Sequence, residues 1–167
     1  MKIFVFSDSH GSIGKMQDII SRSRMTADLV IHLGDNVSDI QEIRNMYPQI
    51  AFLYVKGNCD VFGLASGAPV EYSVTLENKR FYLTHGHLKG VKSGELFGLE
   101  YEAARNKYDV VLYGHTHIAH FEQKNGVYYF NPGSISRPRD GSGGTYGVID
   151  LTPQNIDFKI IDTEEKL

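Results

Sequence analysis

The sequence predicts an α/β fold in which two sheets pack together with helices outside, and three observations carry that prediction. Apolar β runs and amphipathic helical stretches alternate through the first third of the chain. The remainder is dense in hairpin signals. The length of 167 residues (18.8 kDa) supports one real core and is too short for two, so residues 1–167 read as a single domain.

Ile3 to Phe6 is a short apolar run with two aromatics, bounded by polar residues, and reads as a buried strand. Ser12 is placed to cap a helix in which Ile13, Met16, Ile19 and Ile20 recur at helical spacing. Leu29 to Leu33 is the next strand. Val37, Ile40, Ile43 and Met46 mark a second helix, closed by Tyr47-Pro48 because a residue before proline is driven out of the α region. Phe52 to Val55 is a third strand, and this order calls for parallel pairing with right-handed crossovers. Val70 to Leu76 and Arg80 to Leu83 flank Glu77-Asn78-Lys79 as a hairpin. A helix is expected from Ser93 to Asn106, then a strand from Val110 to Leu112. Asn125-Gly126 joins Ile118–Gln123 to Val127–Phe130, the strongest short hairpin signal in the chain. Tyr146 to Leu151 and Ile156 to Ile161, separated by Thr152-Pro153, complete the strands.

Composition excludes several function classes. Seventeen basic against twenty acidic residues give a net charge of -3, which offers no general pull toward nucleic acid or an anionic membrane. One cysteine rules out an intramolecular disulfide framework and a thiolate-rich zinc site. No apolar stretch approaches the ~20 residues of a membrane span, and the opening run is shorter than the roughly 7–15 residues of a secretory core. The protein is therefore expected to be cytoplasmic, with a homo-oligomer left open. Asp140-Gly141-Ser142-Gly143-Gly144 suits a mobile loop better than a domain joint.

Seven histidines beside one cysteine pose the functional question. Polar residues follow one strand after another: Asp8 and His10, then Asp35, then Asn58, then His85 and His87, then His115 and His117. In open α/β sheets ligands gather past the carboxyl ends of strands, so this convergence points to a site. Asp8, His10, Asp35, Asn58, His85, His115 and His117 are seven oxygen or nitrogen donors. One tetrahedral ion uses four and leaves three unexplained. Two ions with three ligands each and one shared carboxylate use all seven, and Asp35 is the chemically sensible bridge because a carboxylate has two oxygens.

Asp-x-His, Gly-Asp, Gly-Asn, His-Gly-His and Gly-His-Thr-His, in this order, resemble the calcineurin-like metallophosphoesterase superfamily. Gly57-Asn58-Cys59-Asp60 and Asn131-Pro132-Gly133-Ser134 look most like its small prokaryotic phosphodiesterase subgroup. The resemblance spans Lys2 to about Ile161 and implies a four-layer α/β/β/α sandwich of two mixed sheets with flanking helices. It implies that Asp8, His10 and His117 hold one metal and Asn58, His85 and His115 a second, with Asp35 bridging. The implied reaction is hydrolysis of a small or nucleotide-like phosphodiester by a metal-bound hydroxide. Manganese is the favoured ion, and iron, zinc or nickel also suit the donor set. Alternatives from the same fold are a protein-interaction scaffold resembling the retromer scaffold subunit, and a phosphomonoesterase or protein phosphatase.

Many relatives follow Gly-Asn with a histidine thought to protonate the leaving group; here that position is Cys59, read as a small buried residue. This departure predicts a preference for good leaving groups, or an acid supplied from elsewhere. His87 joins Asp35 and Asn58 as a catalytic candidate, either touching phosphate or supporting a ligand, with loop filling as the alternative. Arg137 and Arg139 could grip phosphate or simply be solvated. Asp60 could order Asn58 or a neighbouring histidine, or cap a helix. His32 reads as a hydrogen-bonded core residue and His120 as a surface one.

Overall fold

Strand residues alternate between two covered faces, and that alternation builds the layers. The computed structural model describes residues 1–22, 27–61 and 67–165. The elements in order are β1 (Lys2–Phe6), α1 (Ile13–Arg22), β2 (Leu29–His32), α2 (Val37–Met46), β3 (Ala51–Tyr54), β4 (Glu71–Leu76) and β5 (Lys79–Thr84). They continue with α3 (Phe97–Asn106), β6 (Val110–Leu112), β7 (Ala119–Lys124), β8 (Val127–Pro132), β9 (Thr145–Leu151) and β10 (Ile156–Asp162).

One five-stranded sheet has the order β10-β9-β1-β2-β3 and the other β4-β5-β6-β8-β7. Ile3, Val5, Leu29, Ile31 and Leu33 of the first sheet pack with Phe81, Leu83, Val110, Leu112 and Phe130 of the second. The intervening residues Phe4, Phe6 and Val30 turn outward onto Met16, Ile19, Ile40 and Ile43 of α1 and α2. On the far side, Tyr82, Val111 and Tyr129 cover Leu99 and Ala103 of α3. The result is the α/β/β/α sandwich of two mixed sheets. β1 and β2 are apolar at nearly every position because both of their faces are covered. Cutting a fully buried side chain such as Ile31 to alanine would cost roughly 2–5 kcal/mol.

The expected parallel order holds: β1 pairs with β2 and β2 with β3 in parallel. Both short hairpins form, with Glu77-Asn78 and Asn125-Gly126 as two-residue turns at positive φ. Two features lay outside the sequence reading. The β9–β10 hairpin returns to the first sheet and pairs antiparallel with β1. β6 sits parallel between β5 and β8, so the second sheet is mixed as well.

The third helix begins four residues later than the sequence predicts. Val91–Ser93 is a separate 3-10 turn, and Gly94 at φ 83° takes the chain out of helix before α3 starts at Phe97. Among the described residues no helix is long and apolar enough to cross a membrane.

Candidate metal centre

The parallel strands β1, β2 and β3 of one sheet and β5 and β6 of the other are each followed by a loop carrying predicted donors. The structure brings them together. Asp8 and His10 follow β1, Asp35 follows β2, Asn58 follows β3, His85 and His87 follow β5, and His115 and His117 follow β6.

Five of the seven predicted ligands have backbones in the left-handed region: Asp8 (φ 53°), His10 (φ 43°), Asp35 (φ 60°), His115 (φ 69°) and His117 (φ 61°). Asp and His tolerate that conformation better than most residues, yet each instance is strained, and strain of this kind gathers at functional sites. Two glycines allow the loops to close. A Cβ on Gly57 would fall on Asp35 Oδ1, and one on Gly114 would fall on Ser7 Oγ.

Two groups of donor atoms face each other across Asp35. On one side Asp8 Oδ1 lies 3.1 Å from His117 Nε2, and Asp35 Oδ2 lies 3.8 Å from His10 Nε2. Asp8, His10, Asp35 and His117 each place a donor atom within 4.8 Å of the others. On the other side His85 Nε2 is 3.2 Å from Asn58 Oδ1, 3.2 Å from His115 Nδ1 and 3.5 Å from Asp35 Oδ1. Donors bonded at about 2.0–2.2 Å to one ion lie roughly 3.0–3.5 Å apart, so most of these separations fit a shared cation.

The orientation of the imidazole rings also fits a cation. His85 Nδ1–H donates to the Leu33 carbonyl at 2.7 Å, which turns Nε2 toward the Asn58 carbonyl oxygen. His117 Nδ1–H donates to the Arg137 carbonyl at 2.6 Å, which aims Nε2 at Asp8. Asp8 Oδ1 and His10 Nε2 are buried without a hydrogen bond. Two orphaned polar atoms in one cluster are costly unless a ligand satisfies them.

Charge within the cluster is tuned by proximity. Burial alone would raise Asp8, but the His117 imidazole, His85 and the Ser7 hydroxyl outweigh it and hold the carboxyl below its usual range. The Asp8 carboxylate in turn raises His117 despite burial. Burial is the main reason His10 and His115 are lowered, which favours the neutral imidazole that binds metals.

A frame of hydrogen bonds holds these loops, and much of it was invisible in the sequence. Asp60 accepts from the backbone N–H groups of Asp35 (2.9 Å), Gly57 (2.8 Å), Asn36 (2.9 Å) and Val37 (2.8 Å). It therefore caps α2, one of the two readings offered for it, and ties the Asp35 and Gly57 loops together rather than ordering Asn58 or a histidine directly. His32 is the buried core histidine predicted. Its Nδ1 accepts from Gly34 N–H at 3.2 Å and its Nε2 lies 3.0 Å from Ser9 Oγ. The Ser9 hydroxyl donates to Asp39 at 2.7 Å, and Asp39 also accepts from Gly11 N–H. Ser134 and Ser136 donate to the Asp8 carbonyl at 2.8 and 3.1 Å, while Asn131 donates to the Gly114 carbonyl at 3.0 Å. The Asn-Pro-Gly-Ser segment was legible only as a motif; its work is to hold the first loop against the fifth.

One expectation needs correction. Cys59 is exposed, not buried, because its N–H donates to Asp35 Oδ1 at 2.9 Å and turns the residue toward the cleft. Burial first, and then the Asp35 carboxylate, push its thiol up to about 11. His120 lies at the surface as expected, its side chain 41% exposed and its Nδ1 2.8 Å from the Tyr113 hydroxyl. His87 sits beside the cluster, 5.4 Å from His85 and 6.2 Å from His115 between ring centroids, with its Nδ1 buried and unpartnered.

The donors open onto a cleft of roughly 420 Å³ lined also by Cys59, Lys92, Arg137 and Arg139. Three cationic side chains over a cluster of metal-type donors define the class: a metal-dependent enzyme for an anionic substrate. Residues 1–154 match the family model described as the calcineurin-like phosphoesterase superfamily domain. The chain belongs to that superfamily, and thereby to the metal-dependent phosphoric ester hydrolases. It is 36% identical over 152 residues to "Probable metallophosphoesterase YsnB" of Bacillus subtilis, covering 90% of this chain and 85% of that one. It is 33% identical over 172 residues to phosphodiesterase YfcE of Escherichia coli, covering 90% and 88%. Among solved structures, a predicted phosphoesterase from Streptococcus pneumoniae superposes with a TM-score of 0.81 at 27% identity, over 99% of this chain and 91% of the other. Zinc-bound Vps29 from Entamoeba histolytica, at 0.74 and 18% identity over 98% and 100%, shares the fold.

Proposed function

We propose that the chain is a phosphodiesterase working with two divalent ions on a small, nucleotide-like diester. Asp8, His10, Asp35 and His117 would hold one ion, and Asp35, Asn58, His85 and His115 the other. The observation that carries this reading is Asp35: its Oδ2 faces His10 and its Oδ1 faces His85, one carboxylate turned to two donor groups. When bound, such a pair neutralises phosphoryl charge and lowers the pKa of water, supplying the hydroxide nucleophile at neutral pH. Manganese is the ion we propose, on the family likeness; the oxygen and nitrogen donors without thiolate admit it alongside iron, zinc and nickel.

The chain's own residues bind and orient the ester. Arg137 and Arg139 offer guanidinium forks and Lys92 a point charge to the non-bridging oxygens. His87, its Nδ1 buried and unpartnered beside His85 and His115, is proposed to support those ligands or to meet a phosphate oxygen. The Cys59 thiol, pushed up to about 11, is a weak acid at pH 7, which favours leaving groups that depart without a proton. The Vps29 likeness speaks for a shared fold; the full donor set is what a pure scaffold does not need.

The test is hydrolysis of bis-(p-nitrophenyl) phosphate and p-nitrophenyl phosphate after EDTA treatment and return of Mn²⁺, Ni²⁺ or Zn²⁺. Metal-restored turnover with the diester preferred is expected. No hydrolysis of either substrate with any of the three ions would overturn the reading.

A further inference from the structure

A second cleft adjoins the first. It has a volume of about 340 Å³, and its walls include Leu96, Tyr113, Ile118 and His120. Lys92 and Arg139 line both clefts, so the two adjoin at those cations. The chain itself shows how close they are. In the loop after β6, His115 and His117 face the donor cluster, while Thr116 and Ile118 line the neighbouring cleft. A phosphoryl group held by Lys92 and Arg139 over the donors would therefore lie beside the second cleft.

The two ends differ in chemistry. The donor end is ringed by carboxylates, imidazoles and guanidinium groups. The second end offers the aliphatic side chains of Leu96 and Ile118 and the ring of His120, which is held by the hydroxyl of the buried Tyr113 at 2.8 Å. Ile118 is 45% exposed, an apolar side chain left in solvent at the rim. Water there is replaced with gain by an apolar ring.

We infer that this second cleft is a subsite for one ester arm of the substrate, and that the arm it takes is a planar aromatic ring. The phosphate lies between Lys92 and Arg139, the ring lies against Tyr113, His120 and Ile118, and a methyl or other small arm leaves the subsite unfilled. This inference rests on the proposed phosphodiesterase reading for its placement of phosphorus, and its occupant is a nucleobase or aryl group by shared chemistry.

The test is calorimetric binding of two phosphonates to the Mn²⁺-loaded protein. Benzylphosphonate carries a methylene where phenyl phosphate has its ester oxygen; methylphosphonate lacks the ring. Benzylphosphonate is expected to bind on the order of tenfold more tightly, as follows from burying a ring against apolar walls. Ile118→Ser should bring the ratio of the two affinities toward one, and a ratio taken on one preparation is independent of its folded fraction. Equal affinities in the unaltered protein, or no binding of either phosphonate, overturn the subsite. Equal affinities together with hydrolysis of bis-(p-nitrophenyl) phosphate leave the phosphodiesterase standing without it. Ring discrimination without hydrolysis retains the subsite and removes the diesterase. Adenosine 5'-monophosphate against ribose 5-phosphate then separates a nucleobase from a simple aryl preference.

Discussion

Asp60 touches no substrate group, yet replacing it should damage both stability and metal binding. Its carboxylate accepts four backbone N–H groups at 2.8–2.9 Å, and the side chain is almost entirely buried. A hydrogen bond to a charged acceptor contributes about 1.5–3 kcal/mol net, but water entering the space left by Asp60→Ala would satisfy part of the set. The expected loss is therefore about 3–5 kcal/mol, not the sum of four full bonds. Urea unfolding of the metal-free variant should show a midpoint lowered by roughly 2 M, at a slope near 2 kcal/mol/M. Two of the four donors belong to Asp35 and Gly57, so Mn²⁺ affinity should also fall by roughly 10–100-fold. Asp60→Asn should recover little, because its amide N–H₂ would point at backbone donors. A loss below about 1 kcal/mol, or unchanged Mn²⁺ affinity, would refute the role given to this carboxylate.

Other outcomes follow from the same geometry. Asp35→Asn keeps an acceptor for the Cys59 N–H but loses the two-sided negative charge; diester hydrolysis should fall by on the order of 10³-fold with the fold retained by circular dichroism. Gly57→Ala places a methyl against the Asp35 side chain and 2.6 Å from its backbone nitrogen, so it should destabilise by about 1–3 kcal/mol and abolish tight Mn²⁺ binding in a calorimetric titration. Chelation should lower the melting temperature: Mn²⁺ at 100 times its Kd stabilises by ~2.7 kcal/mol, equivalent to roughly 5–10 °C, and Asp8→Ala should erase that difference.

A pH effect comes from His32, whose burial lowers its pKa below the usual 6.5. The unfolded chain binds a proton there before the folded one does, so this contribution is present above pH 6.5 and is lost as pH falls toward the folded value. His117, raised beside Asp8, acts oppositely, stabilising below 6.5 and fading above it. His32→Gln should flatten the acid-side stability slope of the metal-free protein by up to ~1.4 kcal/mol per pH unit, and an unchanged slope would contradict the buried neutral imidazole.

Local chemistry settled a great deal of this protein in advance. The alternation of Ile3, Val5 and Phe4, Phe6 announces a strand covered on both faces, and Asn125-Gly126 announces its own turn, because both signals act over a few residues. The donor types were equally legible: Asp8, His10, Asp35, Asn58, His85, His115 and His117 each follow a strand, and strand ends are where an α/β sheet gathers its ligands. The start of α3 was misplaced because Gly94 ends the turn by backbone conformation, which apolar spacing does not report.

Tertiary structure decided what depends on loops distant in sequence meeting at short range. Asp60 became a clamp only because the β3 loop lies against the start of α2, and Ser134 became a support only because it reaches the Asp8 carbonyl from 126 residues away. The exposure of Cys59 and the orphaned atoms of Asp8 and His10 are likewise properties of an assembled pocket. The placing of two clefts side by side at Lys92 and Arg139 belongs with them. Sequence fixes donor type and spacing, because these are written residue by residue. Distance, burial and the direction of a lone pair arise only when the two sheets close on each other.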